Sequence, residues 1–270
     1  MILNDGVRKN EQGKYEFDYT QDLEHDLLNL CNSTLRVKNT KDLTYFFAYQ
    51  FNPNADVNEI KEFRKKFKKH YNDDAFFYGD DVMDFVEIGM LRMDKYKKLT
   101  SFDAVFMTDY GDVTAPGVMF LLDSLLLEYT NGEFMDIKLV KEVYENIRFD
   151  RDKAKSELMK TDRYSREVDA ERAVQNIEEK FNIEKKRGKL FKIKNYLPMA
   201  GRTGFCDFLK FDSEKNERAF RALAEGSEAL VCDDLITSGA TIKEIKRYLN
   251  AINPNVHLTV FVLVDQLRDY

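Results

Sequence analysis

The feature that most constrains how this chain can fold is the run Ala229-Leu-Val-Cys-Asp-Asp-Leu-Ile-Thr-Ser-Gly-Ala-Thr241, which passes from apolar to acidic to small. Four apolar residues in a row suit a buried strand, predicted over 229–233. Asp233 and Asp234 stand at its carboxyl end, where ligands bind in open α/β sheets. Successive strand residues point to opposite faces, so the two acids share a face only if the chain turns there. A small-residue turn then opens a helix predicted over 242–252. Asn253-Pro254-Asn255 separates that helix from an apolar strand over 256–264. Strand, helix and strand at this spacing form a βαβ unit, which requires a parallel sheet.

The rest of the chain fits that frame. Leu43–Phe51 reads as a strand, ended by Asn52-Pro53-Asn54. Asp56 caps a following helix, with Glu59 three residues on and an apolar face of Val57, Ile60, Phe63, Phe67 and Tyr71. A helix over 82–93 and a short strand over 102–107 follow. Pro116 suits the first turn of a helix carrying Leu121, Leu122, Leu125, Leu126 and Tyr129. Residues 148–187 are densely charged. Val174, Ile177 and Phe181 predict one short helix there, and part of the region is expected to be mobile. The fold class is α/β, a parallel sheet flanked by helices over 100–270. Residues 1–99 are expected to form a helical region with hood elements.

The longest apolar stretches, 118–127 (broken by Asp123 and Ser124) and 256–264, fall short of the roughly 20 residues of a membrane span. Lys and Arg number 42 against 48 Asp and Glu, a net charge of −6, so nucleic-acid binding cannot come from bulk charge. Cys31, Cys206 and Cys232 form no CxxC pair, which argues against a disulfide framework or a structural zinc and for a reducing, cytoplasmic setting. Cys206 and Cys232 read as small buried fillers. His25, His70 and His257 lack metal-site spacing, and no P-loop or nucleophile-elbow motif occurs. Lys61, Arg64, Lys65, Lys66, Lys68 and Lys69 form a basic helix face that reads as solvated; a phosphate or nucleic-acid contact is the other reading.

Two adjacent carboxylates can bind a sugar diol. The hydroxyls and backbone N–H groups of Thr237, Ser238, Gly239, Ala240 and Thr241, at a helix start, can cradle an anion. A phosphorylated ribose has both features. At this point a resemblance enters. All thirteen positions of 229–241 agree with the phosphoribosyl-pyrophosphate (PRPP) signature of type I phosphoribosyltransferases. The resemblance covers about 100–270. It implies the phosphoribosyltransferase fold, with Asp233 and Asp234 binding the ribose hydroxyls directly or through Mg²⁺ and water, and 237–241 holding the 5′-phosphate. It implies a pyrophosphate segment at Thr108, Asp109, Tyr110 and Gly111, a cationic loop within 146–181, and a homodimer. Thr237 stands where the 6-oxopurine branch carries an Asp base, which argues against a hypoxanthine or guanine enzyme. The run 164–181, with Arg172, Asn176 and Phe181, more weakly resembles ComF-type members, whose role relates to DNA uptake.

The sequence also leaves Gly201-Arg202-Thr203-Gly204 readable as an anion loop, with Arg202 a candidate for pyrophosphate or base recognition, or as an ordinary turn. Tyr196 and Phe205 beside it could stack on a base or simply pack. The expected function is Mg²⁺-dependent transfer of a phosphoribosyl group from PRPP to a nitrogenous base, with release of pyrophosphate. The alternative is a non-catalytic PRPP- or nucleotide-binding regulator. Asp109 and Asp112 favour it, because they repel pyrophosphate unless Mg²⁺ intervenes.

Overall fold

A computed structural model describes residues 6–18, 28–30, 35–40, 43–51, 55–67, 81–107, 118–188, 191–236 and 239–265. The chain divides into two compact units. One comprises residues 1–138, 224–236 and 256–266, and the other 139–223, 237–255 and 267–270.

The first unit is built on a sheet. Its strands are β1 (Gly6–Lys9), β2 (Tyr15–Asp18), β3 (Leu28–Leu30), β4 (Arg36–Asn39), β5 (Thr44–Phe51), β6 (Ala104–Met107), the first part of β7 (Met135–Lys141), β11 (Glu228–Ile236) and β12 (His257–Asp265). They lie in the order β7-β6-β11-β12-β5-β3-β1-β2, with β4 also on β5. Strands β7, β6, β11, β12 and β5 pair in parallel. Strands β3, β4, β1 and β2 add antiparallel ladders. This is a mixed α/β fold with a mainly parallel central sheet.

The βαβ logic explains β11 and β12, which carry apolar runs at 229–232 and 260–264 and pair from Glu228↔His257 to Ile236↔Asp265. A strand bonded on both edges and covered on its faces needs such a run. On one face Val105, Met107, Leu230, Cys232, Phe261 and Leu263 share a core with Met90 and Met93 of α2 (Asp81–Tyr96) and Leu122 and Leu126 of α3 (Val118–Tyr129). Tyr49, fully buried, anchors α2 through a bond from its hydroxyl to the Phe85 carbonyl (2.7 Å) and a ring stacked on Phe85. Asp56 caps α1 (Val57–Phe67) as expected, its Oδ1 accepting from the N–H groups of Asn58 (2.8 Å) and Glu59 (3.1 Å). Residues 1–99 are less helical than expected: their described part holds five strands alongside α1 and α2, and β5 belongs to the parallel sheet. Strands of three or four residues carry too little periodicity to read from sequence. Among the described residues no helix is long and apolar enough to cross a membrane.

The second unit holds the last residues of β7, β8 (Arg148–Phe149), α4 (Arg151–Met159), α5 (Glu167–Lys186), β9 (Phe205–Cys206), β10 (Leu209–Phe211), α6 (Glu214–Arg221) and α7 (Ala240–Ile252). The expectation of one short helix within 148–187 gives way to two helices, the second 20 residues long. Their shared core is made largely of alanines: Ala154, Leu158, Ala170, Ala173 and Val174. A search for large apolar residues passes over such a seam. Asp150 caps α4 by accepting from the Lys153 N–H (2.9 Å), and Lys155 bridges to Glu167 (2.8 Å) and Glu171 (3.2 Å) across the pair. The charge density that suggested mobility is thus partly spent on pairing the two helices.

The segment 201–204 is part of a buried 3-10 turn (Met199–Gly204) packed on α4 and α5. A Cβ at Gly201 would lie 2.4 Å from Ile177 Cδ1, and one at Gly204 would lie 2.6 Å from the Asp150 carbonyl oxygen and 2.8 Å from Ala154 Cβ. Both glycines serve close packing. Because the obstacle at Gly204 is backbone, Gly204→Ala should destabilise the protein by about 1–3 kcal/mol, read as a lower urea midpoint. An unchanged midpoint would refute this account of the turn.

Candidate functional site

The acid pair lies on β11, at the point where the sheet order reverses. From β6 the chain crosses by α3 to β7 on one side; from β11 it proceeds to β12 on the other. In open α/β sheets that reversal opens a crevice at the carboxyl ends of the two strands. Among the described residues the ladder between β6 and β11 runs from Ala104↔Ala229 to Met107↔Cys232.

Strand β11 does not stop at the acids, as the sequence suggested, but runs on to Ile236. Asp233 and Asp234 therefore lie within extended chain, on opposite faces of the strand. Asp233 is 9% exposed and Asp234 5% exposed. The Asp234 N–H donates to Asp233 Oδ1 (3.0 Å), a bond within the pair. Beside them Cys232 is fully buried. Burial, with the Asp233 and Asp123 charges behind it, pushes its thiol far above the ordinary range, which makes it a packing residue, not a nucleophile.

The phosphate-loop residues divide. Thr237 and Ser238 lie outside the described residues, as do Thr108, Asp109, Tyr110 and Gly111 of the proposed pyrophosphate segment. Gly239 precedes α7 in the left-handed region, φ 66°, a conformation that favours glycine. Its carbonyl accepts the Lys243 N–H (2.8 Å), so α7 starts at Ala240, earlier than predicted. Ala240 is buried and Thr241 half-buried.

Arg202 is in the second unit, 8% exposed, its Nε donating to the Tyr196 carbonyl (2.7 Å). Tyr196 and Phe205 are buried among Phe181 and Phe191. The hydroxyls of Tyr196 and Tyr144 both donate to Glu184 Oε2 (2.8 Å each). Burial first, then the hydrogen bonds with Tyr144 and Glu184, pushes the Tyr196 hydroxyl far up.

Sequence reading missed that buried triad and a second network. Arg247 on α7 bonds Glu244 Oε2 (2.7 Å) and Asp207 Oδ1 (2.5 Å), Arg148 bonds Asp207 Oδ2 (2.5 Å), and the Asp207 N–H donates to Glu244 Oε1 (2.6 Å). Asp207 itself has φ 61°. A signal existed for the acids on helices: Glu184 continues the stripe Ala170, Val174, Ile177, Phe181, and Glu244 sits between Ile242 and Ile245, each where an apolar residue would be expected.

Among the described residues no group of three or more His, Cys, Asp or Glu side chains could hold a metal ion. No family model matches the chain, and no curated protein matches it.

The Asp207 network sets a pH dependence. Partial burial raises the Asp207 carboxyl, but the bond from Arg148 and the Arg247 charge outweigh it and hold the group below the ordinary carboxylate range. A lowered folded value stabilises above the unfolded value, about 3.9, and that stabilisation is lost as pH falls through the folded one. Asp207→Asn keeps a residue tolerant of positive φ. It should lower the urea midpoint at pH 7, with the gap from the parent protein closing from about pH 4 downward. A gap independent of pH would show that the charge is not what matters.

Proposed function

We propose that the chain binds PRPP at the carboxyl end of β11 and transfers its phosphoribosyl group to a nitrogenous base. The observation that carries the reading is the acid pair at the end of a central parallel strand, where the sheet order reverses, followed by a left-handed glycine and a helix start. The thirteen-residue resemblance to the PRPP signature of type I phosphoribosyltransferases supports it.

In this reading Asp234 accepts hydrogen bonds from the ribose hydroxyls, and Asp233, on the other face of the strand, steadies it by accepting the Asp234 N–H. Charge-assisted bonds of that kind are the strong ones and fix the sugar ring. The segment 237–241 takes the 5′-phosphate on backbone N–H groups and hydroxyls. The C–O bond to pyrophosphate breaks, a C–N bond forms from the opposite face, and the nitrogen's proton leaves to solvent. Positioning supplies much of the rate, and no protein nucleophile is required. The described carboxylates do not suffice to hold Mg²⁺ alone, so Asp233 and Asp234 would hold it through its waters, with the substrate's oxygens completing its shell, and the ion would neutralise the leaving pyrophosphate.

The second reading, a PRPP- or nucleotide-binding regulator without transfer, is favoured by Asp109 and Asp112, two negative charges in the segment that would face pyrophosphate. One experiment separates the two. The protein is titrated with PRPP and Mg²⁺ by calorimetry, then incubated with a panel of bases while pyrophosphate is measured. Pyrophosphate release supports the transferase, and binding without release supports the regulator. Asp234→Asn should weaken PRPP binding by roughly 10–100-fold, since a hydrogen bond to a charged group contributes about 1.5–3 kcal/mol. Absence of heat at any Mg²⁺ concentration would dispose of both readings.

A further inference from the structure

Helix α3 carries a carboxylate where its packing calls for an apolar residue. Two polar residues interrupt its apolar run. Ser124 is exposed, but Asp123 is buried, 8% exposed. Asp123 shares a helical face with Met119 and Leu126, and both of those pack in the core that contains Val105, Met107, Leu230 and Cys232. The acid therefore faces the sheet. Its Oδ1 is sealed from solvent, and among the described residues no donor meets it. Leaving a buried carboxylate oxygen unmet costs stability, and an orphan of this kind in a folded protein calls for an explanation.

Three geometric facts aim Asp123 at the acid pair. First, α3 joins the parallel strands β6 and β7, so it returns from their carboxyl ends and its N-terminus lies at that end of the sheet. Second, helical side chains tilt toward the helix N-terminus, which leans Asp123 toward the carboxyl end of β11. Third, Cys232 belongs to the core on the α3 side of the sheet, and Asp234, two residues on, shares its face of the strand. The Asp123 charge is felt at the Cys232 thiol, which agrees with that placement.

We infer that Asp123 is a third ligand-binding carboxylate on the Asp234 face of β11, accepting a hydrogen bond from a hydroxyl of a sugar-phosphate ligand. The inference rests on the PRPP reading and deepens it by naming a residue outside the 229–241 motif. The donor is a hydroxyl, the group that a ribose offers to a carboxylate acceptor. A hydroxyl that reaches Oδ1 satisfies what the fold leaves unmet, so stability given up in the free protein returns as affinity.

The test combines stability and binding. Asp123→Leu and Asp123→Asn are compared with the parent protein and with Ser124→Ala. Melting temperature is measured without ligand, and ribose 5-phosphate is titrated by calorimetry in the absence of Mg²⁺. Asp123→Leu should melt higher than the parent, because the unmet acid is gone, yet bind ribose 5-phosphate at least tenfold more weakly. Asp123→Asn, close in shape, should fold as the parent does and also bind more weakly. Ser124→Ala should change neither property. If the parent binds and Asp123→Asn binds equally well, the inference fails and the PRPP reading stands. If the parent binds neither ribose 5-phosphate nor PRPP with Mg²⁺, the reading fails and takes the inference with it.

Discussion

Strand β11 is bonded in parallel on both edges, to β6 and to β12, and every other feature of the first unit is arranged around that fact. A strand in this position has no edge for water to reach, so its side chains must be apolar until the ladder beside it ends. They are apolar from Ala229 to Cys232, the residues that pair with the described part of β6, and acidic in the next two. Two acids inside a fully paired region would have to be compensated within the fold. Asp233 is partly compensated by the Asp234 N–H, which donates to it.

The second unit reaches its packing by a different route. Its helical pair α4 and α5 meets through alanines, and the buried turn 199–204 approaches them closely because two of its residues have no side chain. Little large apolar surface is available on that seam, and polar networks supplement it. Glu184 gathers the hydroxyls of Tyr144 and Tyr196, and Arg247 gathers Glu244 and Asp207. Such networks are stabilising only when their members are satisfied together, which gives residues far apart in sequence a common dependence.

The legibility of these features follows their range. Strand β11, helix α7, strand β12 and the Asp56 cap were readable because each is specified by residues adjacent in the chain. The short strands β1 to β4 were not, because their pairing depends on partners rather than on their own pattern. Helices α4 and α5 were underestimated because Ala154, Ala170 and Ala173 are core residues only once the helices meet. The segment 201–204 was ambiguous for the same reason. A glycine needed for close approach and one needed for anion binding look identical until the neighbouring atoms are placed.

By itself the sequence determined the local order of chemistry: an apolar strand, two carboxylates, a turn of small residues and a helix, in that succession. Covalent adjacency dictates it, and no packing could undo it. Only the tertiary structure decided that the strand sits where the sheet order reverses, that Arg202 is enclosed by its own unit, and that Asp123 is buried on α3. Those outcomes depend on which elements pair and which faces they bury, and the free energy of burial belongs to contacts between segments that the chain separates by tens of residues.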